Sequence, residues 1–183
     1  QAATLDATEK DDRKKLSALV ETIDKEVAHI ICKIIAAGKI PIVIGGGHNN
    51  SYGNIKGAAL AFGKPVNAVT FDAHTDFRAL EGRHSGNGFS YAYEEGFLDN
   101  YFIFGLHESY TSKTVLETIK KHSEHIKYNT YEEISVRREK SFSAEMYHAL
   151  EFINEMPFGI EMDVDAIVNT ASSAITPSGF SVE

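Results

Sequence analysis

The chain has 183 residues, 43% hydrophobic and 24% charged, which is enough for one globular domain with a sizeable core and too apolar for a disordered chain. Eighteen basic against 26 acidic side chains give a formal charge of −8, and the basic clusters Arg13-Lys14-Lys15 and Arg137-Arg138 are short and flanked by acids, so no nucleic-acid partner is expected. The longest apolar stretch, Val27 to Ile44, is broken by Lys33, Gly38, Lys39 and Pro41, short of the ~20 residues of a membrane span, and the single Cys32 fits a reducing compartment, the cytoplasm.

In chain order, Leu16, Leu19, Val20, Ile23, Val27, Ile30, Ile31, Ile34 and Ile35 recur at spacings of three and four, which predicts a long amphipathic helix over 11–37 stopped by Gly38. Ile40-Pro41-Ile42-Val43-Ile44 is short, β-branched and apolar on both faces, the pattern of a buried parallel strand. A helix over 52–62 closes at Gly63, and a second strand is expected over 66–71. Residues 72–90 form a polar, glycine-rich loop of the kind that carries function. Beyond it come a short helix near 91–95, a strand over 101–104, helices over 112–122 and 143–154, and a strand over 158–164. Alternating strands and helices imply an α/β fold with a doubly wound parallel sheet. Nothing after Gln1 has the form of a secretion signal, and a chain that does not begin with methionine fits a processed protein or a portion of a longer one.

Three groups of potential metal ligands stand where strands are expected to end: His48 after three glycines, Asp72, His74 and Asp76 after Phe71, and Asp163 and Asp165 near the last strand. The carboxyl ends of parallel strands are where ligands bind in such sheets. Residues two apart in extended chain project to one side, so each group can converge. Four carboxylates and two imidazoles form an oxygen-rich set that suits manganese or magnesium better than structural zinc. Two divalent ions would also balance four ionised aspartates that otherwise repel one another. One such Asp alone reads as a helix cap or turn former, and His48 alone as a loop residue. The combination points to metal.

Gly45-Gly46-Gly47-His48, Asp72-Ala73-His74-Thr75-Asp76 and Asp163-Val164-Asp165, in that order and at these separations, resemble the metal-ligand motifs of the ureohydrolase family, which comprises arginases, agmatinases and formimidoylglutamases. The resemblance implies a three-layer α/β/α sandwich around a parallel sheet, of the arginase/deacetylase type. It further implies two Mn2+ per chain and cleavage of a C–N bond in a guanidino or formimidoyl group by a hydroxide bridging the metals. Carried over by motif, His48, Asp72, Asp76 and Asp163 would hold one ion and Asp72, His74, Asp163 and Asp165 the other, with Asp76 a carrier of protons to the leaving nitrogen. The loop from Arg83 to Phe89 resembles the family's substrate-side loop, with either His84 or Ser85 at the place of its proton-shuttling histidine and Asn87 at a substrate contact. His107 and Glu108 stand at a strand end where relatives place polar residues facing substrate.

The chain departs from the family pattern at Glu161, where Ser or Thr is usual, and at Ser172-Ser173-Ala174, where Ala-Pro-Gly is usual. The resemblance runs from Ile40 to about Gly179, so residues 1–183 are expected to be a single ureohydrolase-like domain lacking N- and C-terminal portions of the full fold. The Ser-Gly-x-x-Phe pattern of Ser85 to Phe89 favours formimidoylglutamase, converting formimidoylglutamate to glutamate and formamide, ahead of arginase and then agmatinase. Family analogy implies a trimer or hexamer and a small amino-acid-derived substrate. Two other readings are a metal-binding inactive homologue and a nucleotide-binding module built on Gly45-Gly46-Gly47. The latter lacks both the G-x-G-x-x-G spacing and a P-loop lysine, and it leaves the six ligands unexplained.

Overall fold

The computed structural model describes residues 2–170 and 177–182, so the departure at Ser172-Ser173-Ala174 lies outside the described residues. The chain divides into two compact units: one comprises the chain up to Pro65 with Asp76–Leu98, the other Val66–Thr75 with the chain from Asp99 onward. Among the described residues no helix is long and apolar enough to cross a membrane.

The first unit is helical: α1 (Lys10–Ala36), α2 (Asn50–Phe62) and α3 (Gly88–Glu94). The α1 and α2 helices approach closely because α2 carries glycine where they meet. A Cβ on Gly57 would lie 2.6 Å from the Ala28 carbonyl oxygen and 2.7 Å from Ile31 Cβ. The buried stripe of α1 is Asp24, Ala28 and Ile31, at the spacing of one helical face. The apolar periodicity therefore fixed the helix but not its inward face, since Ile23 and Ile30 are exposed. Cys32 is half-buried.

The second unit is built on a four-stranded sheet of β1 (Val66–Phe71), β2 (Leu98–Leu106), β3 (Ile126–Thr130) and β4 (Phe158–Met162), in the order β3-β2-β1-β4. The β1–β4 and β2–β3 pairs are parallel. Helix α4 (Lys113–Lys121) connects β2 to β3, and α5 (Phe142–Ile153) connects β3 to β4. On one face of the sheet, Val69, Phe102 and Phe104 form a core with Ile134 and with Ala149 and Ile153 of α5. Buried Asn67 is tolerated because its amide donates to the Ile153 carbonyl at 2.7 Å and accepts from the Asn100 N–H at 2.9 Å. The α/β class and parallel sheet are as expected.

Two elements differ from expectation. The 40–44 run forms no strand and pairs with none among the described residues, leaving Ile40, Ile42 and Ile44 exposed at 91%, 84% and 92%. β-branched apolar residues favour a strand only where a neighbour takes up their backbone hydrogen bonds. The converse case is β3, whose Ile-Lys-Tyr-Asn-Thr sequence carries little apolar signal. Its buried Asn129 accepts from the Gly105 N–H and donates to Glu145, bonds that reach well beyond the local sequence.

Candidate metal centre

The site begins with strand register. Phe71 of β1 pairs with Met162 of β4, and the Asp163 N–H donates to the Phe71 carbonyl at 2.9 Å. The next residue on each strand is an aspartate, so Asp72 and Asp163 leave the sheet side by side at its carboxyl end. On the other side of β1, Asp72 N–H donates to the Phe104 carbonyl.

Beyond Phe71 the chain turns, with the Asp72 carboxylate accepting from the His74 N–H at 2.8 Å. This places His74 Nδ1 3.3 Å from Asp72 Oδ1 and 3.5 Å from Asp165 Oδ2. One ligand atom from each of Asp72, His74 and Asp165 lies within 4.8 Å of the others, and both carboxylates are buried. Such a cluster could hold a divalent cation, whose charge would offset the mutual repulsion of two buried carboxylates. Spacing alone expects Asp165 to project from extended chain beside Asp163, but a turn brings it there instead. Residues Val164–Ala166 form a 3-10 turn capped by Asp163, whose side chain accepts from the Asp165 N–H at 2.9 Å.

In the helical unit, Gly45 and Gly46 adopt φ of +84° and +91°, values that favour glycine. They lead the chain into His48, whose carbonyl accepts from the Ser51 N–H and Oγ. The His48 ring meets Phe89 of α3 edge to face at 5.6 Å, and its Nδ1 lies 2.6 Å from Asp76 Oδ2. Asp76 has φ +42°, in the left-handed region that Asp tolerates better than most residues. Asp72, His74 and Asp165 thus come together in one unit and His48 with Asp76 in the other, a grouping different from the Asp72-His74-Asp76 and Asp163-Asp165 sets that spacing suggests.

The loop residues fall into two classes. His84 is half-buried and caps the 3-10 turn Ser85–Asn87, its Nδ1 accepting from the Gly86 N–H at 3.1 Å and its Nε2 lying 3.3 Å from Glu81. Burial, reinforced by the Arg78 charge, holds the His84 pKa below the usual histidine range. Ser85 is exposed. Asn87, expected as a substrate contact, is 0% exposed. Its Oδ1 accepts from Arg83 and from the His84 N–H, and its Nδ2 donates to the Ala79 and Gly82 carbonyls, so all four of its hydrogen-bonding positions are used inside its own loop.

His107 is likewise enclosed, stacked between Tyr110 and Tyr131 at ring separations of 5.3 and 4.8 Å, and burial lowers its pKa. Its ring is a wall of the sheet's carboxyl end, not an exposed ligand. Glu108 is exposed and takes two hydrogen bonds from Arg137, at 2.8 and 3.2 Å, which hold its carboxyl below the usual range. Sequence reasoning missed the Tyr110–His107–Tyr131 stack, and it missed a buried ion pair between Asp24 and Arg83. An acid on the inward face of α1 was the available signal.

Residues 4–181 match the Arginase family. The chain belongs to the arginase family. Among curated relatives of this arginase-family chain, formimidoylglutamase of Macrococcus caseolyticus is 33% identical over 122 residues, covering 63% of this chain and 39% of the relative. The crystal structure of formimidoylglutamase from Bacillus subtilis aligns with a TM-score of 0.75 at 23% identity, covering 86% of this chain and 51% of that one, which shows the shared fold. A formiminoglutamase variant from Trypanosoma cruzi, crystallised with Mn2+, aligns with a TM-score of 0.70 at 25% identity, covering 80% and 49%. The chain spans about half the length, or less, of these relatives.

Proposed function

We propose that this chain carries the metal-binding portion of a formimidoylglutamase, in which one water cleaves the C–N bond between the formimidoyl carbon and the glutamate nitrogen, giving formamide and glutamate. The observation that carries the reading is the convergence of Asp72, His74 and Asp165 at the carboxyl end of the sheet. Similarity to curated formimidoylglutamases supports the substrate.

We assign His48, Asp72, Asp76 and Asp163 to one manganese ion and Asp72, His74, Asp163 and Asp165 to a second. The segment Asp72–Asp76 contributes residues to both sets. Bound there, the two cations would acidify a water toward neutrality and stabilise negative charge developing on the substrate. The protein's own part is to fix the donors and to move protons. Asp76 is our candidate to accept a proton from water and return it to the departing nitrogen. His84 offers Nε2 for exchange, because its Nδ1 already accepts from the Gly86 N–H. The exposed Ser85 and Glu108 are the side chains we assign to the amino-acid end of the substrate, while Asn87 orders its own loop and His107 is buried.

The single cysteine supports a cytoplasmic setting, and family analogy supports a trimer or hexamer. The test is turnover by the manganese-loaded full-length protein on formimidoylglutamate, arginine and agmatine. Release of glutamate and formamide is the expected result. Hydrolysis of arginine or agmatine instead reassigns the substrate, and two bound ions with no turnover on any of the three make the protein an inactive homologue.

A further inference from the structure

Within the helical unit, Arg83 and Asp24 are buried to 3% and 2% exposure, and the Arg83 guanidinium is enclosed by the Tyr52 and Tyr91 rings at 4.9 and 5.3 Å. All five of its N–H donors have acceptors. Nε donates to Asp24 Oδ2 at 2.8 Å and Nη2 to Asp24 Oδ1 at 3.3 Å. The second Nη2 hydrogen goes to the Asn49 carbonyl at 3.0 Å, and Nη1 donates to the His84 carbonyl at 3.0 Å and to Asn87 Oδ1 at 2.7 Å.

These bonds lead to both halves of the His48–Asp76 pair. Asn49 directly follows His48. Asn87 in turn holds the Ala79 carbonyl, and the Arg78 N–H donates to Gly86, which fixes the segment just past Asp76. One buried cation is therefore a common reference for two stretches of chain that are distant in sequence. A flexible ammonium cannot reproduce this fork, because it lacks the planar set of five donors.

We propose that Arg83 is a positioning residue: through the Asn49 carbonyl and the Asn87 amide it sets the approach of His48 to Asp76, and with it the affinity of that pair for a divalent cation. The inference rests on the reading of His48 and Asp76 as metal ligands. Residues behind metal ligands commonly change metal affinity by about 10- to 100-fold when lost. A purely structural ion pair would change stability and leave affinity alone.

The test measures Mn2+ affinity by calorimetric titration, alongside urea unfolding, in the full-length protein and three variants. Asp24→Asn keeps the Arg83 bonds to Asn49 and Asn87, so it loses stability while its Mn2+ affinity stays within about threefold of wild type. Arg83→Lys keeps the charge beside Asp24 but loses the fork, and its affinity falls about 10-fold or more. Arg83→Met with Asp24→Leu removes both charges, which spares stability relative to a lone buried charge, yet its affinity falls as in Arg83→Lys. If the double variant does not fold, the comparison of Arg83→Lys with Asp24→Asn still decides. Wild-type affinity in Arg83→Lys, or affinity losses that track stability across the variants, overturns the proposal. A wild-type protein that binds no manganese contradicts the metal reading itself, a separate outcome.

Discussion

His48 Nδ1 lies 2.6 Å from Asp76 Oδ2, and Asp76 makes this approach from a left-handed backbone at φ +42°. The position thus asks two things of its residue, a carboxylate and tolerance of positive φ. Asn shares the tolerance but not the charge, whereas Ala shares neither. Asp76→Asn should leave the unfolding free energy within about 0.5 kcal/mol of wild type, and Asp76→Ala should lower it by about 1 kcal/mol. Both should reduce turnover by about 100-fold or more, as expected for loss of a metal ligand. Urea unfolding read beside steady-state kinetics separates the two demands, and full activity in Asp76→Asn contradicts the ligand role.

The α1–α2 contact predicts a stability effect away from the site. Gly57→Ala places a methyl 2.6 Å from the Ala28 carbonyl oxygen and 2.7 Å from Ile31 Cβ, so the helices must separate. Overpacking of this kind costs about 1–3 kcal/mol, and against a backbone oxygen and a Cβ that cannot swing aside it outweighs the ~1 kcal/mol gained from Ala's better helix propensity. A lower urea midpoint is expected. A stabilised Gly57→Ala protein contradicts the packing.

How far the sequence could be read follows from where each signal resides. The strands before Asp72 and Asp163 were legible because an apolar run ends abruptly in a carboxylate, a feature held within a few residues. The pairing of Phe71 with Met162, which puts those two aspartates on adjacent strands, is a property of the sheet. The 40–44 run misled because side-chain type reports what a strand would bury, not whether a neighbour is present. Asn87 looked available because its Ser-Gly-Asn context resembles a substrate loop, and its four hydrogen bonds appear only when the loop closes on itself. Asp24 and Arg83 are 59 residues apart, so no local pattern could join them.

The His84 environment predicts a pH dependence. Burial, with the Arg78 charge, holds its folded pKa below the ordinary ~6.5 of the unfolded chain. Between those two values the unfolded state binds more protons, so stability rises with pH across this window and is complete above ~6.5. Acidification below ~6.5 therefore removes it progressively. His84→Asn retains a side-chain acceptor for the Gly86 N–H but cannot titrate. Urea unfolding at about pH 5.5 and 7.5 should show a larger loss on acidification in wild type than in His84→Asn. Equal losses contradict a half-buried His84 whose pKa is lowered by its surroundings.

Elemental analysis of the full-length protein after manganese loading and removal of excess metal tests the central claim most directly. The account predicts close to two manganese ions per chain, with fewer in both Asp72→Ala and Asp163→Ala, because each aspartate is assigned to both ions. A single zinc ion, no metal at all, or undiminished manganese in both variants would contradict it.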